Sequence, residues 1–162
     1  MATWKTKAPE PFLLEAFFTL HCVADRKLQP QKWFPPTPLR VLLNSKGQDI
    51  TAKFPKKMVD EGVTNAGADK ITQVRSLPRE TLKALLKQGK EATLTRAKQY
   101  KEKFHLEMKA AFDHEITRLE KLREVNPTVS LQEIVALKTQ KLKLEKAMGE
   151  AQLTLDSLRV IL

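Results

Sequence analysis

Residues 126–162 read Asn126-Pro127-Thr128-Val129-Ser130 followed by LQEIVALKTQKLKLEKAMGEAQLTLDSLRVIL from Leu131 to Leu162. Asn126-Pro127 disfavours continued helix and ends whatever precedes it. Ser130-Leu131-Gln132-Glu133 is a capping-box sequence, in which Ser130 and Glu133 satisfy free N–H groups at a helix start. Beyond it Ile134, Leu137, Lys141, Leu144, Met148, Ala151, Leu155, Leu158 and Leu162 recur in alternating steps of three and four. That spacing predicts a heptad seam over about 131–161, with Lys141 as its one polar member.

Upstream of the break the same period continues. Tyr100, Phe104, Met108, Ala111, Phe112, Ile116, Leu119 and Leu122 recur every three or four residues. Ser76-Leu77-Pro78-Arg79-Glu80 starts this region, since proline suits the first turn and Glu80 suits the helix dipole. The short connection at 126–130 makes the two helices antiparallel neighbours. A helix over 131–162 would be roughly 48 Å long and one over 79–124 roughly 69 Å. A break at Gly89 would leave 90–124 at roughly 52 Å, a good match. The expectation is a short helix at 79–88 and two long helices, about 90–124 and 131–161, paired as a coiled-coil hairpin. Tyr100, Phe104, Met108, Phe112, Ile116 and Leu119 would face Ile134, Leu137, Leu144, Met148, Leu155 and Leu158.

The first half is different. Residues 1–78 hold eight of the nine prolines, both tryptophans and the single cysteine. Two strands are predicted, one within Leu13–Ala24 and one at Leu39–Leu43. Pro35, Pro36 and Pro38 form an extended connector into the second, because proline cannot donate a ladder hydrogen bond. Gly47 can take positive φ and so predicts a hairpin from Leu43 into a strand at Ile50–Phe54. The fold class is therefore α+β: a small, mainly antiparallel sheet and a long helical hairpin. Residues 1–11 are expected to be a flexible N-terminus, 12–78 the β-rich part and 79–162 the helical part, together one structural unit.

The chain has 162 residues, 29 Lys+Arg and 19 Asp+Glu, a formal charge of +10. This is one domain's length, with enough apolar content for a core without staples. With only Cys22, no intrachain disulfide is possible, and a reducing, cytoplasmic setting is expected. The longest apolar run, Phe12 to Ala24, is 13 residues with Glu15 and His21 inside it. It is too short to span a bilayer and too interrupted for a signal peptide.

Chemistry is sparse. Gly89-Lys90-Glu91 lacks the Ser or Thr and the second glycine of a phosphate loop. His21 and Cys22 are neighbours facing opposite sides of a strand, and His105 and His114 are nine apart, so no zinc spacing exists. Cys22 reads as packing, and His114-Glu115 as a solvated face. No catalytic residue, cofactor or metal is expected. The basic residues are the one functional candidate: Arg79, Lys83, Lys87 and Lys90 on one side of the first helix, then Lys98 and Lys101. They suit phosphate contact. Glu80, Glu91, Glu102 and Glu107 interleave with them, and no aromatic residues alternate as in base-stacking modules, which favours a solvated face.

Arg118–Val129 (RLEKLREVNPTV), Glu133-Ile134 and Ala151–Ile161 (AQLTLDSLRVI) resemble the C-terminal end of the RapA (HepA) family. These are bacterial RNA polymerase-associated ATPases of the Swi2/Snf2 type. Phe34–Leu43 (FPPTPLRVLL) with Lys46-Gly47-Gln48-Asp49, and Leu77–Leu82 (LPRETL), look like further segments of the same domain, in the same order. Asn126, Pro127, Ser130, Glu133, Leu155 and Leu158, with Pro35, Pro36, Pro38 and Gly47, form the signature. The resemblance implies a domain with a mainly antiparallel central sheet and two long paired helices. It implies association with RNA polymerase core, or with the remaining domains of such an ATPase, in polymerase recycling. The family's ATP hydrolysis belongs to helicase-like lobes that these residues do not contain. The chain thus reads as a non-catalytic scaffolding or interaction fragment of a longer protein. Two other readings stand beside it: an independent basic nucleic-acid-binding protein, and a chaperone-like or oligomerising helical-hairpin protein.

Overall fold

The computed structural model describes residues 1–5 and 11–162. In chain order the elements are β1 (Ala2–Trp4), β2 (Leu13–His21), a 3-10 turn at Arg26–Leu28, α1 (Pro30–Trp33), β3 (Thr37–Asn44), α2 (Lys56–Gly62), β4 (Val63–Asn65), α3 (Ala68–Arg75), α4 (Arg79–Val125), α5 (Leu131–Gly149) and β5 (Gln152–Ile161). The chain forms two compact units: Met1–Thr19 with Pro38–Arg96 and Leu153–Leu162, and Leu20–Thr37 with Ala97–Gln152. The division does not fall at Pro78, where composition changes; each unit draws on both halves of the sequence.

The first unit is built on a five-stranded sheet of order β3-β2-β5-β1-β4. β1 runs antiparallel to β4 and parallel to β5, with Ala2 opposite Ile161. The sheet is therefore mixed, a correction to the mainly antiparallel sheet expected from the sequence. The parallel pair joins the two ends of the chain, a contact that no hairpin signal encodes. Strand alternation sorts β2 between two cores. Phe12, Leu14, Ala16 and Phe18 pack with Val41, Leu43, Val160 and Leu85 of α4. Leu13 packs with Leu42, Ile50, Ile161 and Val59 of α2 on the other side. The strands at 13–21 and 37–44 bear out the two predicted from sequence.

Gly47 takes φ +81°, and Asn44 Oδ1 accepts from the N–H groups of Lys46 and Gln48 at 3.1 and 2.9 Å, closing the turn after β3. The partner strand at Ile50–Phe54 does not form. A single bridge joins Leu43 to Asp49, and the chain then turns, with Asp49 accepting from Thr51. The N-terminus also differs from expectation. Ala2–Trp4 is a strand rather than a flexible lead, because Ala2 is buried and pairs on both sides. Residues 6–10 of the same expected segment lie outside the described residues.

α4 is one helix of 47 residues, so the break at Gly89 is not there. Gly89 serves close packing. A Cβ at that position would lie 3.3 Å from Val41 Cγ1 and 3.4 Å from Leu43 Cδ1. The glycine lets the helix sit down on β3, and its carbonyl accepts from the buried Thr93 hydroxyl at 2.7 Å. Arg96 then fastens the helix to the hairpin, donating to the Arg40 carbonyl at 2.8 Å and pairing with Asp49 at 3.2 Å.

The second unit holds the rest of α4 with α5. Lys138 pairs with Glu120 and Lys141 with Asp113, at 2.7 and 2.6 Å, and His105 lies 3.8 Å from Glu145. Numbers rise on one helix as they fall on the other, so the two run antiparallel. Phe104, Met108, Phe112, Ile116 and Leu119 are buried on α4, and Ile134, Leu144 and Met148 on α5. Tyr100 is exposed and Leu137 half-buried. The segment before β3 covers the helices: Trp33 rests on Phe112 with ring centroids 5.3 Å apart, and Phe34 meets Phe104 edge-on at 5.1 Å. Asn126 Oδ1 accepts from the Thr128 N–H at 3.1 Å, and Ser130 Oγ caps α5 by accepting from the Gln132 N–H at 3.1 Å.

The expected helix over 131–161 ends at Gly149. Residues 152–161 form β5 instead, so the expected coiled-coil pairing of two long helices is not what the structure shows, and 79–162 is not wholly helical. Gly149 is a weak helix residue, and the β-branched Val160 and Ile161 favour a strand. Burial of Ile161 in the sheet core outweighs the helical spacing of Leu155 and Leu158, which are 46% and 41% exposed.

Candidate functional site

The basic residues divide between the units. Arg79, Lys83, Lys87 and Lys90 are exposed on α4 in the first unit. At 100° per residue the four lie within one face. Lys83 pairs with Glu80 at 3.0 Å, an exposed contact of little energetic weight. Lys87 and Lys90 border a shallow cavity of about 290 Å³ lined also by Phe18, Leu86, Leu153 and Leu155. Lys98 and Lys101 belong to the second unit. Lys98 is exposed; Lys101 is half-buried and donates to the Gly149 carbonyl at 3.3 Å, where a cation meets the negative end of α5.

A second charged group was not singled out by sequence reasoning. Glu15, on β2, is fully buried. Its Oε1 accepts from Arg40 Nε and its Oε2 from Arg159 Nε, each at 2.6 Å. Arg40 also donates to the Phe54 carbonyl at 2.7 Å, and Arg159 to Asp60 at 2.9 Å. Lys56 completes the chain of charges on Asp60 at 2.5 Å. Hydrogen bonds from Lys56 and Arg159 hold the Asp60 carboxyl below its ordinary range. Burial opposes the charge on Arg159, yet the bonds to Asp60 and Glu15 raise its pKa. The signal was present: a carboxylate inside an apolar strand needs a partner. Which arginines supply it depends on the sheet order. The group has no nucleophile and no open acid–base pair, and its geometry locks β2, β3, β5 and α2 together.

Cys22 is half-buried, and burial pushes its thiol pKa up; Lys101 pulls it down and Glu150 adds to the rise. This environment favours the thiol over the thiolate needed for nucleophilic work. Among the described residues, no three His, Cys, Asp or Glu side chains gather as a metal site, and no helix is long and apolar enough to cross a membrane.

The signature residues sit at structural joints. Pro35 accepts the Thr37 hydroxyl at 2.9 Å before β3, and Pro36 and Pro38 are exposed beside it. Gly47 makes the turn, Asn126, Pro127, Ser130 and Glu133 form the α4–α5 connection and the first turn of α5, and Leu155 and Leu158 lie on β5. Together these features define a mixed α+β domain with an exposed basic helix face beside an apolar cleft. The RNA polymerase recycling family, in its C-terminal part, matches residues 1–162. The RNA polymerase-associated protein RapA of Pseudomonas fluorescens (strain SBW25) is 32% identical over 166 residues, covering 99% of this chain and 17% of that protein. The RapA proteins of Stutzerimonas stutzeri (strain A1501) and Pseudomonas aeruginosa (strain LESB58) are 33% and 32% identical with the same coverage. The chain belongs to the RNA polymerase recycling family and corresponds to its C-terminal domain. It spans about 17% of the length of these curated relatives.

Proposed function

We propose that this chain is a non-catalytic interaction module of a RapA-type, RNA polymerase-associated protein, working in the cytoplasm by contact with polymerase core or with the motor domains of such a protein. The observation that carries this reading is the family match over residues 1–162. The physical features agree with it. The candidate residues make structural contacts: Glu15 is consumed by two arginines, and Cys22 is held toward the thiol form. What remains for function is surface, namely the α4 face with Arg79, Lys83, Lys87 and Lys90 and the cleft beside it. No cofactor is needed for such a role.

The test is co-elution of the purified chain with RNA polymerase core on a sizing column at roughly 0.3 M salt, where non-specific attraction is screened. Co-elution supports the reading; a folded chain eluting alone while the same salt preserves the full-length relative's association overturns it for polymerase contact. A nucleic-acid role for the basic face predicts duplex DNA binding that falls steeply with salt and is lost when Lys83, Lys87 and Lys90 are reversed in charge.

A further inference from the structure

In the second unit, residues of α1, α4 and α5 line a shallow cavity of about 270 Å³. Its apolar surface includes Trp33, Phe112 and Leu137, with the two aromatic rings 5.3 Å apart and tilted by 48°. Its polar surface includes the Gln29 and Gln140 amides and the Lys32 ammonium, which lies 4.8 Å from the centre of the Trp33 ring. Among the described residues, neither amide nor the Trp33 indole N–H makes a hydrogen bond, and none of the three is sealed from solvent. Unpartnered donors around an aromatic floor fit a ligand cavity, where a few polar groups orient what the apolar surface holds. Gln29 adds a second observation. It is the one non-glycine residue at positive φ, 49°, among the described residues, and it stands directly before Pro30. Glycine would take that conformation more easily, so the glutamine is held at the rim against local strain. Gln29 and Lys32 also border a neighbouring cavity that Arg26 lines. Arg26 and Lys32 have no ion-pair partner among the described residues, whereas Glu115, on the rim, is held by Arg118 at 2.7 Å.

We propose that this cavity binds a proline-rich segment of a partner protein, in polyproline II conformation and followed by acidic residues. Such a segment has no internal hydrogen bonds, so its carbonyl groups can accept from Trp33, Gln29 and Gln140. Its proline rings pack on the indole at small entropic cost, because the conformation is preformed. The acidic residues meet Lys32 and Arg26, whose charges lack partners on this chain. Lys32 covers the Trp33 ring in the unbound chain, and binding draws it from ring to carboxylate. Single-stranded nucleic acid also stacks on tryptophan but fits less well, since Lys32 is the one cation lining the cavity and Glu115 lines it too. A second copy of this chain fits less well again. Its own proline run, Pro35-Pro36-Thr37-Pro38, is flanked by Lys32 and Arg40, cations rather than carboxylates. The proposal does not rest on polymerase contact, and either can fail without the other.

The probe is a fluorescein-labelled peptide, a run of prolines ending in paired glutamates. One control replaces the prolines by alanines, and the other replaces the glutamates by lysines. Anisotropy with the whole chain at ~0.15 M salt should show the probe binding at least about tenfold tighter than either control. The chain has two tryptophans, so NMR of the nitrogen-labelled chain resolves two indole N–H signals. The probe should shift that of Trp33 and leave that of Trp4. Trp33→Phe keeps an aromatic ring but removes the donor, and should weaken binding about three- to tenfold. Gln29→Gly should weaken it by a similar factor without lowering the melting temperature, because glycine relieves the positive φ. A glutamine of purely structural role would give no loss of binding there. Lys32→Glu with Arg26→Glu should reverse the preference between the glutamate and lysine tails. Equal binding of the alanine control, an unmoved Trp33 signal, full affinity in both Trp33→Phe and Gln29→Gly, tighter binding of a uridine oligonucleotide, or self-association of the chain that the probe dissolves would each overturn the proposal.

Discussion

Glu15 carries a full charge into the centre of a sheet, and its two arginines make that tolerable. Removing the carboxylate leaves Arg40, whose side chain is 11% exposed, without its charge partner, and Arg159 with Asp60 alone. Glu15→Ala should therefore cost about 3–5 kcal/mol of unfolding free energy, because uncompensated buried charge is expensive. Urea denaturation followed by circular dichroism checks this. Asp60, at the outer end of the same network, predicts a pH dependence. Its folded pKa is held below its unfolded value near 3.8 by Lys56 and Arg159. Its contribution to stability is thus fully present above about pH 4 and is lost as pH falls through the lower, folded pKa. The stability gap between the natural chain and Asp60→Asn should be constant from neutral pH to about pH 5 and close toward pH 2. A gap that stays constant through acid would remove the ion-pair account of Asp60.

Two elements make sharper tests of how this sequence chooses its fold. Gly89 lies where α4 touches β3, and even a Cβ there would press on Val41 and Leu43 at 3.3 and 3.4 Å. Gly89→Leu should destabilise by about 1–3 kcal/mol through overpacking, despite leucine's better helix propensity. A chain stabilised by that change would show that the glycine is not a packing residue. The second test contrasts two leucines that share a helical spacing in the sequence. Leu144 is fully buried on α5, whereas Leu155 is exposed on β5. Leu144→Ala should cost about 2–5 kcal/mol, and Leu155→Ala within about 0.5 kcal/mol. Equal, large losses would restore one continuous helical seam through 131–161.

These elements also mark how far the sequence can be read. The α+β class, the strands at Leu13 and Leu39, the Gly47 turn and the Asn126–Ser130 connection are local, each written in a few adjacent residues. The segment 152–161 is not. Its leucines fit a helix, and only the burial of Ile161 beside Ala2, at the opposite end of the chain, decides for a strand. Gly89 misleads for a related reason: a glycine that ends a helix and one that lets a helix approach a sheet look alike until the sheet is known. The basic face was legible as a set of lysines, but its neighbour, the cleft of Phe18, Leu86, Leu153 and Leu155, comes from four residues on three elements. The Glu15 network needed sheet order too.

At the scale of the whole molecule, the chain is a C-terminal domain of the RNA polymerase recycling family with an exposed basic helix face and a buried Glu15 carboxylate held by two arginines. The proposed role is one of contact. If the contact with polymerase is specific, surface shape and apolar area should dominate, and affinity should fall only modestly with salt. If the +10 charge alone drives association, affinity should fall steeply with salt and any polyanion should compete. The decisive measurement is the affinity of the whole chain for RNA polymerase core from ~0.05 to ~0.3 M salt, with duplex DNA as competitor. The account predicts saturable one-to-one binding that survives at the upper salt and resists the competitor. Binding that vanishes by ~0.3 M salt, or that DNA displaces fully, would contradict it.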